Sequence, residues 1–264
     1  MSTLSSDANA PRRGVIDVAA TSKVPFLRLV SVEMRKMTDT RAGIWLLAIL
    51  VAVVAVAVVA VAVTSRPDGA PFFGYVLSTT VPLSILLPVL GILLITGEWT
   101  QRTTLSTFTL ESSRMRVMTA KIVTALLYAV LGLALAAGAA ALFALAFGAD
   151  QAFESANWPL LLNVAVLLTI LMLQGVAFGT LILSSAGAIV AFFLVPVIFS
   201  IVLSFFSGLS EHVAWFDTQA AQASLMNDAL PSATEWAQLG TTSLIWIVLP
   251  LVVGLVRIAR MELK

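Results

Sequence analysis

The feature that most constrains this sequence is a series of six long apolar stretches without a single Asp, Glu, Lys, Arg or His. They lie at residues 43–63, 73–97, 122–148, 159–183, 188–207 and 241–256. A helix crosses the hydrocarbon core of a bilayer with roughly 20 apolar residues, because ~30 Å is covered at about 1.5 Å per residue. The sequence therefore predicts an all-α integral membrane protein with six transmembrane helices.

Composition agrees with a bilayer as the solvent. Of the 264 residues, 59% are hydrophobic and 11% are charged, whereas a soluble domain carries about 25% charged residues. The mean hydropathy is +1.02. The absence of cysteine excludes disulfides and cysteine nucleophiles, and a single histidine, His212, excludes a multi-histidine metal site.

The basic residues predict the orientation, because Lys and Arg are enriched on the cytoplasmic side of membrane proteins. With six spans, 14 of the 15 basic residues fall on one side and only Arg66 falls on the other. The acidic residues divide evenly, so the two sides sum to +7 and −6. We expect both termini in the cytoplasm of a bacterium, with the protein in the plasma membrane as a multi-pass protein.

The N-terminal region predicts a disordered cytoplasmic leader over 1–23, followed by the six-span domain over 24–264. From Val24 a helical pattern begins, and one arc of this helix holds five apolar side chains: Phe26, Leu27, Val30, Met34 and Met37. Arg28 and Arg35 point the opposite way. The pattern is typical of an amphipathic helix in the membrane interface. It is compatible with a simple anchor and with contact to a cytoplasmic partner.

The segment 98–121 is too polar to enter lipid and longer than the usual connection of 2–8 residues between bundle helices. It predicts a short cytoplasmic helix, a break, and a second helix capped by Ser112 or Ser113 that runs into span three. An ordinary positive-inside loop is the alternative. An exposed Phe108 favours a docking surface for another protein.

Inside the spans, Gln174 is the most polar deeply placed residue. It serves either as a hydrogen-bonding link between helices or as a substrate contact. Gly175 and Gly179 form a GxxxG pattern that predicts close packing of span four. The 208–240 connection contains a possible short helix over 218–229 and is either a surface loop or a partly re-entrant one.

Several function classes are disfavoured. Proton-coupled pumps and ion channels commonly place an ionisable residue in the membrane, and these spans have none. The sequence contains no G-x-x-x-x-G-K-[ST] phosphate loop, so we expect the chain not to be an ATP-hydrolysing enzyme itself. A transport or scaffold subunit remains.

The segment after span two resembles the permeases of the ABC-2 family, the type V ABC exporters, and in particular actinobacterial members. The matching residues are Gly97-Glu98-Trp99-Thr100-Gln101-Arg102-Thr103, Thr107-Phe108-Thr109-Leu110, Arg114 and Ala120-Lys121. The tail, from residues 246–250 through Arg257, Arg260 and Glu262, is also similar. Ser112 departs from the pattern, because many relatives have proline there.

The resemblance implies a connecting helix at 24–38 and a coupling helix within 98–112 that docks on a separate ATPase. The coupling residues would be Glu98, Arg102, Thr104, Leu105 and Phe108. It also implies two permease chains, identical or paralogous, with two ATPase chains that hold ATP and Mg²⁺. The permease itself would need no cofactor, no metal and no nucleic acid. Phe108→Ala or Glu98→Ala is then expected to uncouple ATP hydrolysis from transport without unfolding the membrane part.

These expectations describe the permease subunit of an ATP-driven exporter that works by alternating access. Its uncharged spans fit an amphiphilic or hydrophobic cargo, such as a drug, lipid or peptide, although the sequence does not identify it. The competing hypotheses are a non-transporting scaffold or sensor subunit and a secondary carrier.

Overall fold

The computed structural model describes residues 24–66, 69–101, 103, 113–147, 153 and 157–261. These residues are almost entirely helical, and no strand occurs among them. Six of the helices are long and apolar enough to cross a membrane. The prediction of an all-helical, six-span membrane protein is therefore confirmed at this level. The 1–23 leader lies outside the described residues.

Nine α-helices make up this part of the chain. They are α1 (Phe26–Asp39), α2 (Arg41–Thr64), α3 (Phe72–Thr100), α4 (Arg114–Phe147), α5 (Trp158–Ile182), α6 (Ser185–Ser204), α7 (Thr218–Gln222), α8 (Ala233–Ser243) and α9 (Leu249–Arg260). Two 3₁₀ segments, Ser207–Trp215 and Ala223–Met226, flank α7. A π-helical turn, Leu244–Val248, joins α8 to α9 so that Ala233–Arg260 forms one span.

Side-chain caps and backbone conformation set several helix ends. The Thr40 hydroxyl accepts a hydrogen bond from the Gly43 amide and starts α2. Ser232 and Glu235 form a capping box that starts α8. Leu183 adopts a left-handed conformation with φ 58°, which ends α5 and allows α6 to begin two residues later. Only Leu183 and Ser184 therefore separate the two helices, whereas the sequence predicts a break over the four small residues from 184 to 187.

The helices α3 and α5 form the centre of the bundle and are its two most buried spans. Glycine lets their backbones approach. A Cβ on Gly175 would lie 2.4 Å from the carbonyl oxygen of Pro88, and one on Gly179 would lie 3.2 Å from Ile95. A Cβ on Gly254 would similarly meet the Thr180 carbonyl, which brings α9 against α5. The GxxxG pattern therefore lies at the α3–α5 contact.

Three spans surround this centre with most of their surface exposed. Helices α2, α4 and α6 are the least buried spans, and their outer faces carry apolar side chains such as Val56, Leu142 and Ile198. An apolar exposed face suits contact with lipid. The described fold is therefore that of a multi-pass membrane protein.

The helices extend beyond the apolar stretches. α3 continues to Thr100, and α4 begins at Arg114 rather than at residue 122. Glu98 and Lys121 therefore lie within spanning helices although the apolar stretches exclude them. Helical structure continues past the apolar limit because, as shown below, these charges find partners within the bundle. At one end of the bundle, α1 meets the end of α3 and the start of α4. We call this end the α1 end.

At the opposite end, the segment between α6 and α8 packs onto the bundle. The Asn163 amide of α5 donates to the carbonyls of Asn227 and Ala229, at 3.1 Å and 2.9 Å. The Trp246 indole donates to the Phe216 carbonyl at 2.8 Å. The short helix predicted over 218–229 is an α-helix over Thr218–Gln222 followed by the 3₁₀ segment. These bonds hold the segment against the spans.

Candidate functional site

Four charged residues converge at the α1 end of the bundle. Glu33 and Lys36 come from α1, Glu98 from the last turn of α3, and Lys121 from the second turn of α4. We call them the ionic cluster. The cluster holds two carboxylates and two ammonium groups, so its formal charge is zero.

The two lysines alternate with the two glutamates. Lys36 Nζ lies 2.6 Å from Glu33 Oε1 and 2.5 Å from Glu98 Oε1. Lys121 Nζ lies 2.6 Å from Glu33 Oε2 and 3.5 Å from Glu98 Oε1. Lys121 also donates to the Leu94 carbonyl of α3 at 3.0 Å. Each lysine therefore connects two helices through charged hydrogen bonds.

Most of the cluster is shielded from solvent. Lys121 is 1% exposed, Glu33 3% and Glu98 9%. A buried ion loses several kcal/mol of hydration, of the order of 20 kcal/mol in the idealised limit, which only close partners offset. The position of α1 therefore depends on α3 and α4, because separation of these helices would leave buried charges without their partners.

Lys36 lies at the more open side of the cluster. Burial lowers the pKa of Lys36, but the charges of Glu33 and Glu98 and the hydrogen bonds to both carboxylates outweigh it. The pKa of Lys36 is therefore raised above the ordinary value of 10.5. The ammonium form is thus stabilised at neutral pH.

Hydrogen bonds to backbone carbonyls add to the attachment of α1 to α4. The Tyr128 hydroxyl donates to the Met34 carbonyl at 3.1 Å, and the Thr124 hydroxyl donates to the Val30 carbonyl at 3.4 Å. Arg116 donates to the Val24 carbonyl at 2.7 Å. These bonds lie along the length of α1, so that the helix docks on α4 over several turns.

A second set of polar contacts fastens the α5–α6 turn to the same end. The Ser185 hydroxyl lies 2.7 Å from the Thr96 hydroxyl and 3.0 Å from the Thr100 hydroxyl. Arg257 of α9 donates to the Leu181 carbonyl at the end of α5, at 2.8 Å. The end of α3 is thus linked to α1, α4 and α6.

A cavity of about 860 Å³ opens beside the ionic cluster. All four cluster residues line it, together with Arg28, the Leu93 side chain and Ser185. It lies between α1 and the end of α3. The ionic cluster therefore forms part of the wall of this cavity.

The predicted coupling residues divide into two groups. Glu98, predicted as a coupling residue, lies in the ionic cluster and is buried, because two lysines from α1 and α4 pair with its carboxylate. Arg102, Thr104, Leu105 and Phe108 lie outside the described residues.

The predicted amphipathic helix is present as α1, but its packing differs from the pattern. Val30 and Met37 are buried, and Phe26 and Met34 are half-buried. Leu27, by contrast, is 80% exposed. The face that includes Val30 and Met37 packs against α4, which leaves Leu27 at the edge of this contact.

The sequence did not identify Glu33, Lys36 or Lys121 as site residues. A signal was available for Glu33, because at about 100° per residue it falls about 20° from Phe26, at the edge of the apolar arc of α1. A carboxylate on a buried face requires a cationic partner. Lys121, directly before the apolar run of span three, was one available partner.

The cluster is suited to holding helices together, because its charges pair with one another across α1, α3 and α4. Among the described residues no group of three or more His, Cys, Asp or Glu side chains is placed to hold a metal ion. Neither a scan against protein-family models nor a search of curated proteins gives a match to this chain. Function is therefore argued from the residues themselves.

Proposed function

We propose that this chain is the permease subunit of an ATP-driven ABC exporter, paired with a second permease chain and powered by separate ATPase chains. The observation that carries the proposal is the ionic cluster, which joins α1 to the end of α3 and the start of α4. These are the helices on either side of the segment that resembles the ABC-2 permeases. Glu98 and Lys121 thus belong both to the residues that match the ABC-2 permeases and to the ionic cluster.

The cluster suits the mechanical role of the segment. Residues 102–112 follow α3 directly, and α4 begins at Arg114. A force on this segment reaches α3 and α4 along the backbone, and the buried charges extend it to α1. Such a unit moves as a rigid body, which is the kind of motion that alternating access requires.

The charge distribution supports a cytoplasmic position for the α1 end. The basic residues at this side of the bundle include Arg28 and Arg35 of α1, Arg114 at the start of α4, and Arg257 and Arg260 at the end of α9. By the positive-inside rule this side faces the cytoplasm, where ATP is available. ATP and Mg²⁺ belong to the partner ATPase, and the protein belongs to the plasma membrane of a bacterium.

The cargo proposed is amphiphilic or hydrophobic. The charged side chains of the spanning helices lie close to their ends, and the intervening surfaces carry apolar and small polar groups. A multiply charged ion would find no counter-charge there.

Purification of the tagged full-length chain from its own host tests this proposal. We expect an ABC-type ATPase in a 1:1 ratio with the chain, and ATP-dependent export of a fluorescent amphiphile after reconstitution of the complex in proteoliposomes. Flux driven by an ion gradient through the chain alone would instead indicate a carrier. A folded chain with neither ATPase nor flux would indicate a scaffold or sensor.

A further inference from the structure

A groove of about 410 Å³ lies in the membrane-spanning part of the bundle, away from the ionic cluster. Helices α3, α5 and α6 form its walls, and α7 covers it at the end opposite to α1. Its volume lies in the range of sites that hold small ligands. No charged residue lines it among the described residues.

Gln174 lines this groove and has no hydrogen-bond partner among the described residues, although its side chain is only 2% exposed. The Gln174 amide is not among the fully buried unpaired polar groups of the described residues, so the groove is where it meets a partner. An amide that linked helices would have a partner on α3 or α6. A ligand in the groove can supply the hydrogen bonds that no neighbouring helix supplies among the described residues.

Three hydroxyls line the groove: Thr218 accepts from the Gln222 amide at 2.8 Å, and the other two use their protons within α3. Ser84 donates to the Val81 carbonyl at 2.7 Å and Thr80 to the Val76 carbonyl at 3.2 Å. Their oxygens retain lone pairs for a donor from a ligand, while the Gln174 amide both donates and accepts. A hydroxyl group satisfies both requirements.

The remaining wall is apolar and open towards the lipid. Phe193 and Val197 line the groove from α6, and both are exposed at the bundle surface. Val81 and Ile85 of α3 line it from the other side and are also exposed. A chain or ring system in the bilayer can reach the groove sideways and cover these side chains.

We propose that this groove binds an uncharged amphiphile that carries a hydroxyl group, with Gln174 as the residue that hydrogen-bonds to that hydroxyl. The absence of charge around the groove disfavours fatty-acid anions and alkylammonium cations, because neither finds a counter-ion. The assignment of this amphiphile as exported cargo depends on the proposed function, whereas binding to the groove does not.

Photolabelling of the full-length chain in nanodiscs tests the binding. The probe is a monoacylglycerol with a diazirine in its acyl chain, with unlabelled monoolein, oleic acid and oleylamine as competitors. We expect saturable labelling of residues 80–85, 167–174 and 192–197, displaced by monoolein and not by the two charged compounds.

The Gln174→Leu variant supplies the matched comparison. It removes the amide, and we expect about 5- to 10-fold weaker labelling, the loss of about one hydrogen bond. Its melting temperature should be unchanged or higher, because the unpartnered amide is gone. Thr169→Val is the control, since Thr169 bonds to Ala165 within α5 and does not line the groove. Gln174→Met replaces the leucine variant if the latter misfolds.

Non-saturable labelling, equal displacement by oleic acid, or unchanged labelling of both Gln174 variants would overturn the proposal. The ATPase is absent from this experiment. Failure of the labelling would leave ATPase association intact, and failure of ATPase association would leave the labelling intact.

Discussion

Lys121 Nζ lies 2.6 Å from Glu33 Oε2, and this ion pair joins α4 to α1 across 88 residues of sequence. Both side chains are almost completely buried. Each charge is compensated by the other and by Lys36 and Glu98 beside the pair. The arrangement makes α1 part of the bundle rather than a helix that only rests on the membrane.

Removal of the lysine should be strongly destabilising. We expect Lys121→Met to lower the free energy of unfolding by about 3–5 kcal/mol, because Glu33 is left with less compensation in a buried position. Thermal unfolding of the purified chain in detergent measures this. Arg35→Met is the matched control, since Arg35 and Asp39 form an exposed pair at 3.8 Å that is worth at most about 1 kcal/mol. Equal melting temperatures for the two variants would show that the cluster contributes little.

Stability should also depend on alkaline pH through Lys36. Its pKa in the folded protein is raised above 10.5, so its contribution is fully present below the pKa of the unfolded chain. The contribution is lost as pH rises through the folded value. We expect the difference in melting temperature between wild type and Lys36→Gln to be constant from pH 7 to 10 and to shrink above pH 10.5. A difference that grows in the alkaline range would contradict the raised pKa.

The contact between α3 and α5 should not tolerate a methyl group at Gly175. A Cβ there would lie 2.4 Å from the Pro88 carbonyl oxygen, so that Gly175→Ala forces the two central helices apart. We expect a clear loss of melting temperature. At Gly138, on the exposed face of α4, a Cβ meets nothing within 4 Å. There Gly→Ala should stabilise by up to about 1 kcal/mol through helix propensity.

The proposed coupling predicts different results for Phe108 and Glu98. In the reconstituted complex, Phe108→Ala should leave the melting temperature unchanged and reduce transport per ATP hydrolysed. Glu98→Ala should reduce both, because its carboxylate pairs with Lys36 and Lys121. This revises the sequence-based expectation that Glu98→Ala leaves the membrane part intact. Leu27→Ala, at an exposed position of α1, tests whether that surface contributes to coupling.

The number and course of the spans follow from the sequence because a bilayer imposes a simple rule on length and charge. The four-residue cluster does not follow in the same way. The apolar stretches end at charged residues, so the sequence places Glu98 and Lys121 in polar connections. Only their pairing across three helices explains how the helices continue past them.

The sequence predicts only one part of the groove around Gln174. The residue itself stands out as the one amide deep in span four. Whether it bonds to a neighbouring helix depends on side-chain positions 89–94 residues earlier and 18–23 residues later in the chain, which no periodicity specifies. No hydrogen bond from the Gln174 side chain to another helix occurs among the described residues, and our proposal of a ligand at this residue starts from that observation.

The central claim is that the α1 end of the bundle faces the cytoplasm, where an ATPase can act on it. The chain contains no cysteine, so single cysteines introduced at the exposed Thr103 and, at the opposite end, Asp228 report its orientation directly. With a membrane-impermeant maleimide, we predict labelling of Asp228→Cys in intact bacterial cells and of Thr103→Cys only after the membrane is opened. Labelling of Thr103→Cys from outside intact cells would contradict the account.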